Sequence, residues 1–301
     1  MTNYKAHIYT AYDEELSSDK FGNNLHIFYG DILDDRGQLL KDSFKSATWH
    51  KVKFNAESME LSVDGNLINF TDTNYLGTYK VEGASFLIDS TTLNLPEIYY
   101  LIKQFIALKI TYFKVLYIEP KEYTKDPDSD FYQLSNYPIG YKPIPGAVTD
   151  LHQSDVEIGV FFIGFDSTRV QIALEEFQMI QDKNIKVIFG TPAFHAGLEL
   201  ESIYPHLEIL SENRDFHIDY CSAIDPASAY DLLNYFKKAL DDGNKLFIAP
   251  IGPKPTTIAS ALFANIFPNE TSLLYDHPEN LQNRTRGVNG WYTYSVYLNQ
   301  I

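Results

Sequence analysis

The chain has 301 residues, 45% hydrophobic and 21% charged, a balance that suits one large or two average soluble domains and excludes a disordered or fibrous chain. Its net charge of -16, with acidic residues in both halves, disfavours long duplex nucleic acid, whose phosphates demand a broad basic face, but leaves room for a small anion in a local positive pocket. The start, MTNYKAHIYTAYDEE, lacks the pattern of a signal peptide, no apolar run approaches the roughly 20 residues of a spanning helix, and one cysteine cannot form an internal disulfide or a zinc cage, so a cytoplasmic protein without a membrane partner is expected.

In chain order, residues 24–80 hold several β-like runs. Among them are NLHIFYGDI and the pair MELSV and NLINF, joined at Asp64-Gly65, a hairpin signal. FLI at 86–88 is a short strand core, followed by the hydroxyl-rich turn Asp89-Ser90-Thr91-Thr92, a helical pattern over 96–108 and a strand over 112–118. Residues 126–150 are rich in proline and glycine and read as a connector, with a boundary near Gly146.

The second half alternates strands with helices. EIGVFFIGF (157–165) and IKVIF (185–189) are buried strands by length and apolar content, with a helical pattern over 170–180 between them. Asp225-Pro226 opens a helix to residue 240, Asp at the N-cap and Pro at the first helical position. A strand over 245–250, a helix over 256–267 and a strand over 272–275 follow. The last residues, 283–301, alternate as a strand added antiparallel to a sheet edge, with Arg284 and Arg286 either surface charges or within reach of a phosphate near Lys254.

The halves resemble each other. FLIDSTTLNLPEIYYLIKQF from Phe86 matches FIAPIGPKPTTIASALFANIF from Phe247, LYIEPKEY from Leu116 matches LYDHPENL from Leu274, and HIYTAYDEE from His7 is a candidate partner of VFFIGFDST from Val160. The expected fold is α/β: two tandem Rossmann-like units with mostly parallel sheets, an internal duplication, with an antiparallel β addition in the N-terminal half. The units are placed at 1–146 and 147–301.

In such sheets ligands bind beyond the carboxyl ends of the strands. Three turns qualify: Asp89, Ser90 and Thr91 in the first; Gly164, Asp166, Ser167 and Arg169 in the second; Gly252, Lys254 and Thr256 in the third. Helix N-termini there favour an anion or a nucleotide ribose-phosphate. Against that, Ser90 and Ser167 fit ordinary helix caps, Arg169 can pair with Glu175 or Glu176, and Lys254 can be a solvated lysine ahead of a proline at a helix start. Pro253 and Pro255 stiffen the third turn and hold Lys254 near the mouth of the sheet.

The Gly-x-Lys-Pro turn leading into a helix of small residues, and then a strand ending in Tyr275, resembles the CARF domain, the CRISPR-associated Rossmann fold whose members sense cyclic oligoadenylates. By position Gly252, Lys254 and Thr256 match that family's Gly-Gly-Thr-Lys-type turn, and Gly164 to Ser167 match its first strand-to-helix loop, with Pro253 standing where the family has a small residue. A fused pair of such units resembles the SAVED domain of other anti-phage systems. The resemblance implies nucleotide binding and a role in antiviral defence.

Other chemistry is less supported. The eight histidines lack metal-binding spacing, and Walker A, Gly-x-Gly-x-x-Gly and Gly-x-Ser-x-Gly motifs are absent. No cofactor or metal is therefore expected, and Cys221 reads as a core or turn residue. Asp276-His277 and Glu119, at the ends of matching strands, are candidate acid/base groups. The leading expectation is a nucleotide-sensing protein acting with a partner effector or as a homo-oligomer. The alternatives are an enzyme cleaving a nucleotide phosphodiester or glycosidic bond, with Lys254 stabilising charge and Asp166, Glu119 or Asp276 as acid or base, and a non-catalytic structural subunit.

Overall fold

The computed structural model describes residues 4–125, 132, 134–138, 140–147, 156–176, 180–211 and 215–301. Part of the connector at 126–150 and the end of the helical pattern at 177–179 lie outside the described residues. The strands are β1 (Tyr4–Asp13), β2 (Asn24–Tyr29), β3 (Thr48–Asn55), β4 (Glu60–Val63), β5 (Asn66–Ile68), β6 (Ala84–Asp89), β7 (Tyr112–Tyr123), β8 (Ser135–Pro138), β9 (Val156–Ile163), β10 (Ile185–Gly190), β11 (His217–Cys221), β12 (Lys245–Pro250), β13 (Thr271–Leu273), β14 (Pro278–Asn280) and β15 (Thr285–Gln300). The helices are α1 (Asp35–Ser43), α2 (Leu95–Ala107), α3 (Ser167–Glu176), α4 (Leu198–Ile203), α5 (Leu207–Ser211), α6 (Pro226–Lys237) and α7 (Lys254–Ile266).

Two compact units form, one of Met1–Tyr123 with Gln282–Ile301, the other of Thr124–Leu281. This differs from a single cut near Gly146, because β15 returns to the first unit. There it pairs antiparallel with β1 on one side and β7 on the other. The expected antiparallel strand exists, but inside the sheet rather than at its edge.

Among the described residues, the first unit's sheet runs β1-β15-β7-β6-β2-β3-β4-β5. Its centre, β3-β2-β6-β7, is parallel, and both ends are antiparallel. The β4–β5 turn has positive φ at both Asp64 (52°) and Gly65 (80°), the conformation for which Asp-Gly is selected in two-residue hairpins. Helix α1 covers one face through Leu40 and Phe44, which pack with Leu25, Ile27, Leu87, Leu116, Ile118 and Trp291. Helix α2 is buried over most of its length. Its Glu97 accepts from the backbone N–H of Asn94 and, with its second oxygen, from that of Phe54 in β3, tying the helix start to the sheet.

The second unit's main sheet, β11-β10-β9-β12-β13, is parallel throughout. Counted within the unit the order is 3-2-1-4-5, that of the doubly wound Rossmann arrangement. Asp225 caps α6, accepting from Ala227 N–H at 3.1 Å, with Pro226 at the first helical position. The core joins Phe161, Ile163, Val170, Leu174, Val187, Phe189, Phe247 and Ala249.

The parallel orders β3-β2-β6-β7 and β10-β9-β12-β13 are the same; β6 and β12 begin one pair of matching segments, and the other pair covers the later part of β7 and the stretch that directly follows β13. The counterpart of β9 is β2, however, not the strand at His7. β1 is an antiparallel edge strand, whereas β2 occupies the first position beside β6.

Candidate functional site

The strand order turns between β9 and β12, so the crevice of the second unit lies outside their carboxyl ends. The chain makes those ends cross at backbone distance. A Cβ on Gly164 would lie 2.9 Å from the Ile251 carbonyl oxygen, and one on Gly252 would lie 2.9 Å from that of Ile163. Neither backbone oxygen can yield as a flexible side chain would, so glycine is required by contact. Gly164→Ala or Gly252→Ala should each cost about 1–3 kcal/mol in chemical denaturation, while Gly243→Ser, at a position where nothing crowds a Cβ, tests backbone conformation alone. A loss below the range for both crowded glycines would remove this account of the crossing.

From Gly252 the chain passes through Pro253, φ -66° and ψ 157°, into α7. Pro253 and Pro255 have no N–H. The N–H groups of Thr256 (3.0 Å) and Thr257 (3.4 Å) return to the Pro253 carbonyl, as does the Thr256 hydroxyl at 2.8 Å. Thr256 is buried and its hydroxyl hydrogen is committed to the loop, which corrects its assignment as a ligand donor. The positive end of the helix dipole remains, but most of the N–H cradle that usually accompanies it is gone. An anion at this turn would have to be held by the Lys254 ammonium rather than by a ring of amides.

On the β9 side, Asp166 accepts from the Ser135 hydroxyl at 3.2 Å, and Ser167 is the half-buried first residue of α3. Arg169 belongs to the fold. Its Nε and Nη2 donate to the two oxygens of Asp276, which follows β13, at 2.6 and 2.7 Å. Asp276 is 0% exposed, and the ion pair and its hydrogen bonds hold the guanidinium pKa above its usual value despite burial. Arg169 is therefore not a ligand cation, and its partner is neither Glu175 nor Glu176. Both carboxylate oxygens of Asp276 are taken up by this pair. His277 is buried, hydrogen-bonded through Nε2 to the Lys142 carbonyl at 3.0 Å, with a pKa pushed down by burial. Burial, with Asp219 adding to it, pushes the Cys221 thiol up to about 12, which leaves it unreactive at neutral pH.

The sequence reading missed His206, in the turn between α4 and α5. Its Nε2 donates to the Gly164 carbonyl at 2.9 Å. Burial is the main influence on this ring, 1% exposed, and lowers its pKa, so the neutral Nε2–H tautomer leaves Nδ1 as an acceptor. Nδ1 is thus a buried acceptor that the described residues leave unsatisfied. The sequence around it, YPHLE, carries no motif.

The corresponding place in the first unit is filled by the protein itself. Asp89 accepts from Thr91 N–H at 3.0 Å and Thr92 hydroxyl at 2.5 Å, Ser90 donates its hydroxyl to the Leu116 carbonyl, and Thr91 accepts from Ile118 N–H. Asp89, Ser90 and Thr91 are buried and stitch β6 to β7, so their assignment as ligand contacts is corrected to a structural one. Thr92 also accepts from Gly30 N–H at 2.8 Å, joining the β2 and β6 ends.

Above these turns lies a buried charged cluster. Arg36 pairs with Asp34 at 2.6 Å and donates through Nη1 to the Ile118 carbonyl, and the Thr285 hydroxyl donates to Asp34 at 2.5 Å. Arg284, half-buried beside Arg36, has its pKa lowered by burial first and that like charge second. Glu119 receives the Tyr123 hydroxyl at 3.2 Å, and burial pushes its carboxyl up to about 8. Among the described residues no three His, Cys, Asp or Glu side chains are grouped to hold a metal. No helix there is long and apolar enough to cross a membrane.

No protein-family model and no curated protein matches the chain. Two solved structures are similar over 90% of it. One is an N-terminal ketoreductase from a macrolactin assembly line, at 11% identity over 73% of that chain with a TM-score of 0.24; the other is a ketoreductase domain from the bacillaene assembly line, at 9% identity over 71% of that chain with a TM-score of 0.22. At these scores the likeness carries no argument about chemistry, and the fold rests on the strand order itself.

Proposed function

We propose that the chain is a binding protein for a small anionic ligand of nucleotide type, held in the second unit and released unchanged. The observation that carries this reading is the 3-2-1-4-5 sheet, which sets the Gly164–Ser167 and Gly252–Lys254 loops side by side at the turn in strand order. Lys254 supplies the charge for a phosphate, and His206 Nδ1 accepts from the sugar or base. The first unit's turn is spent on its own hydrogen bonds, which favours one working pocket over two. A cytoplasmic sensor of this kind, lacking a catalytic set in its binding unit, reports to a partner effector, as in anti-phage defence.

Thermal shift against a panel of linear and cyclic nucleotides tests the reading. The expected result is stabilisation by at least one of them, about 2.7 kcal/mol at 100 times its Kd, reduced in Lys254→Ala and in His206→Phe. No shift for any nucleotide, with both variants behaving as the parent, would leave a structural subunit as the better reading.

The second reading, an enzyme acting on a nucleotide phosphodiester or glycosidic bond, is favoured by one observation. Glu119, within β7, is a carboxylic acid held protonated near neutral pH, as a general acid must be. Turnover of a bound nucleotide that is lost in Glu119→Gln would move the assignment to that reading.

A further inference from the structure

Among the described residues β1 is the outermost strand of the first unit's sheet and has β15 as its neighbour. Its ten residues, YKAHIYTAYD, pair with β15 without a register shift. Regular edge strands invite further pairing, and proteins usually blunt them with a proline or a bulge. β1 has neither. Its outer half is also exposed and aromatic: Tyr9 is 63% exposed and Tyr12 48%. On the face that carries Tyr9, a row of tyrosines runs inward across the sheet, Tyr9 against Tyr297 at 5.6 Å and Tyr297 against Tyr112 at 4.7 Å.

The sequence of β1 is complementary to itself in one antiparallel register. Lys5 and Asp13 lie equally far from Tyr9 on either side. With period-two alternation, Lys5, His7, Tyr9, Ala11 and Asp13 share one face. Two copies aligned antiparallel about Tyr9 therefore place each Lys5 opposite the other copy's Asp13 and bring the two Tyr9 rings together. Centred on His7 instead, Lys5 meets Tyr9, and centred on Ala11, Asp13 meets Tyr9, the other charge falling beyond the partner strand in each case; sliding one copy by a single residue turns the charged face over. Asp13 already receives Lys20 at 2.5 Å within its own chain, and a carboxylate has lone pairs for a second cation.

The geometry points to a homodimer formed by antiparallel pairing of β1 with β1 of a second copy, centred on Tyr9. The sheet becomes continuous through the two-fold axis, and the tyrosine row extends across both copies. This inference is independent of the nucleotide reading and concerns the other unit.

The charges supply the test. Lys5→Asp alone sets like charges opposite each other twice in the dimer, and so does Asp13→Lys alone; in a mixed pair of the two variants every opposed charge is again opposite. Sedimentation of the full chain over a concentration series should give a dimer for the parent and, for each variant alone, a dimer constant weaker by roughly tenfold or more. An equimolar mixture should recover parent-like association. Tyr9→Cys on the parent background should form an intermolecular disulfide reversed by dithiothreitol, the native Cys221 being buried. This covers the case in which Asp13→Lys, having lost the Lys20 pair, fails to fold. A parent that is monomeric throughout, variants that dimerise as well as the parent, folded variants whose mixture does not associate, or a Tyr9→Cys chain that does not cross-link would each overturn the proposal.

Discussion

Arg169→Met is expected to destabilise the protein by about 3–5 kcal/mol, because it strands the Asp276 carboxylate, 0% exposed, without its counter-charge. Removing both charges should be far milder. Arg169→Met with Asp276→Leu leaves no buried ion to solvate, and replacing such pairs with apolar groups is often neutral or stabilising. Urea denaturation of both single variants and the double variant forms a cycle whose coupling energy reports the pair directly. A loss under about 1 kcal/mol for the single variants, the value of a solvated surface pair, would mean that the bridge is wet and that Arg169 is available to a ligand after all.

Stability should also fall as the solution becomes alkaline, and Glu119 sets the window. Its carboxyl titrates near 4.5 in an unfolded chain and at about 8 when folded, chiefly because burial disfavours the charged form. Between those values the folded protein holds a proton that the unfolded chain has lost. The group's contribution is therefore fully present below about pH 4.5 and falls by about 1.4 kcal/mol per pH unit up to about pH 8, where it levels off. Glu119→Gln keeps the shape and remains neutral, so it should remove this slope and be several kcal/mol more stable than the parent near pH 8. Parallel unfolding curves for the two proteins across the window would contradict it.

Much of the fold is legible in the sequence because its central strands are buried on both faces. Such strands read as continuous apolar runs bounded by turn residues, as at 157–165, 185–189 and 245–250. β11 escapes this reading for the opposite reason: it is an edge strand, and His217, Ile218 and Tyr220 face solvent, so HIDYC lacks an apolar run. The place of β15 is hidden because alternation reports that a strand is half-buried and says nothing about its neighbours. The Arg169–Asp276 pair spans 107 residues and needs the sheet order before it can be seen. One feature of the candidate site was readable without coordinates. A Pro-Lys-Pro helix start cannot supply the amide donors that a glycine-rich turn does, because two of the three residues have none. Lys254 carries positive charge at that turn, and His206 is reached only through the carbonyl of Gly164.

The position of β15 also bears on how the chain is made. A ribosome releases β1 long before β15, and until β15 emerges β1 lacks the strand it pairs with and β7 lacks the neighbour on its far side. The second unit, Thr124–Leu281, is fully synthesised before then, and its sheet contains no strand from outside that span. It can fold during translation, while the first unit must keep two strand edges waiting for a partner that emerges only after the second unit. During that interval aggregation competes most strongly with folding, and a stop codon shortly before residue 285 would make the interval permanent.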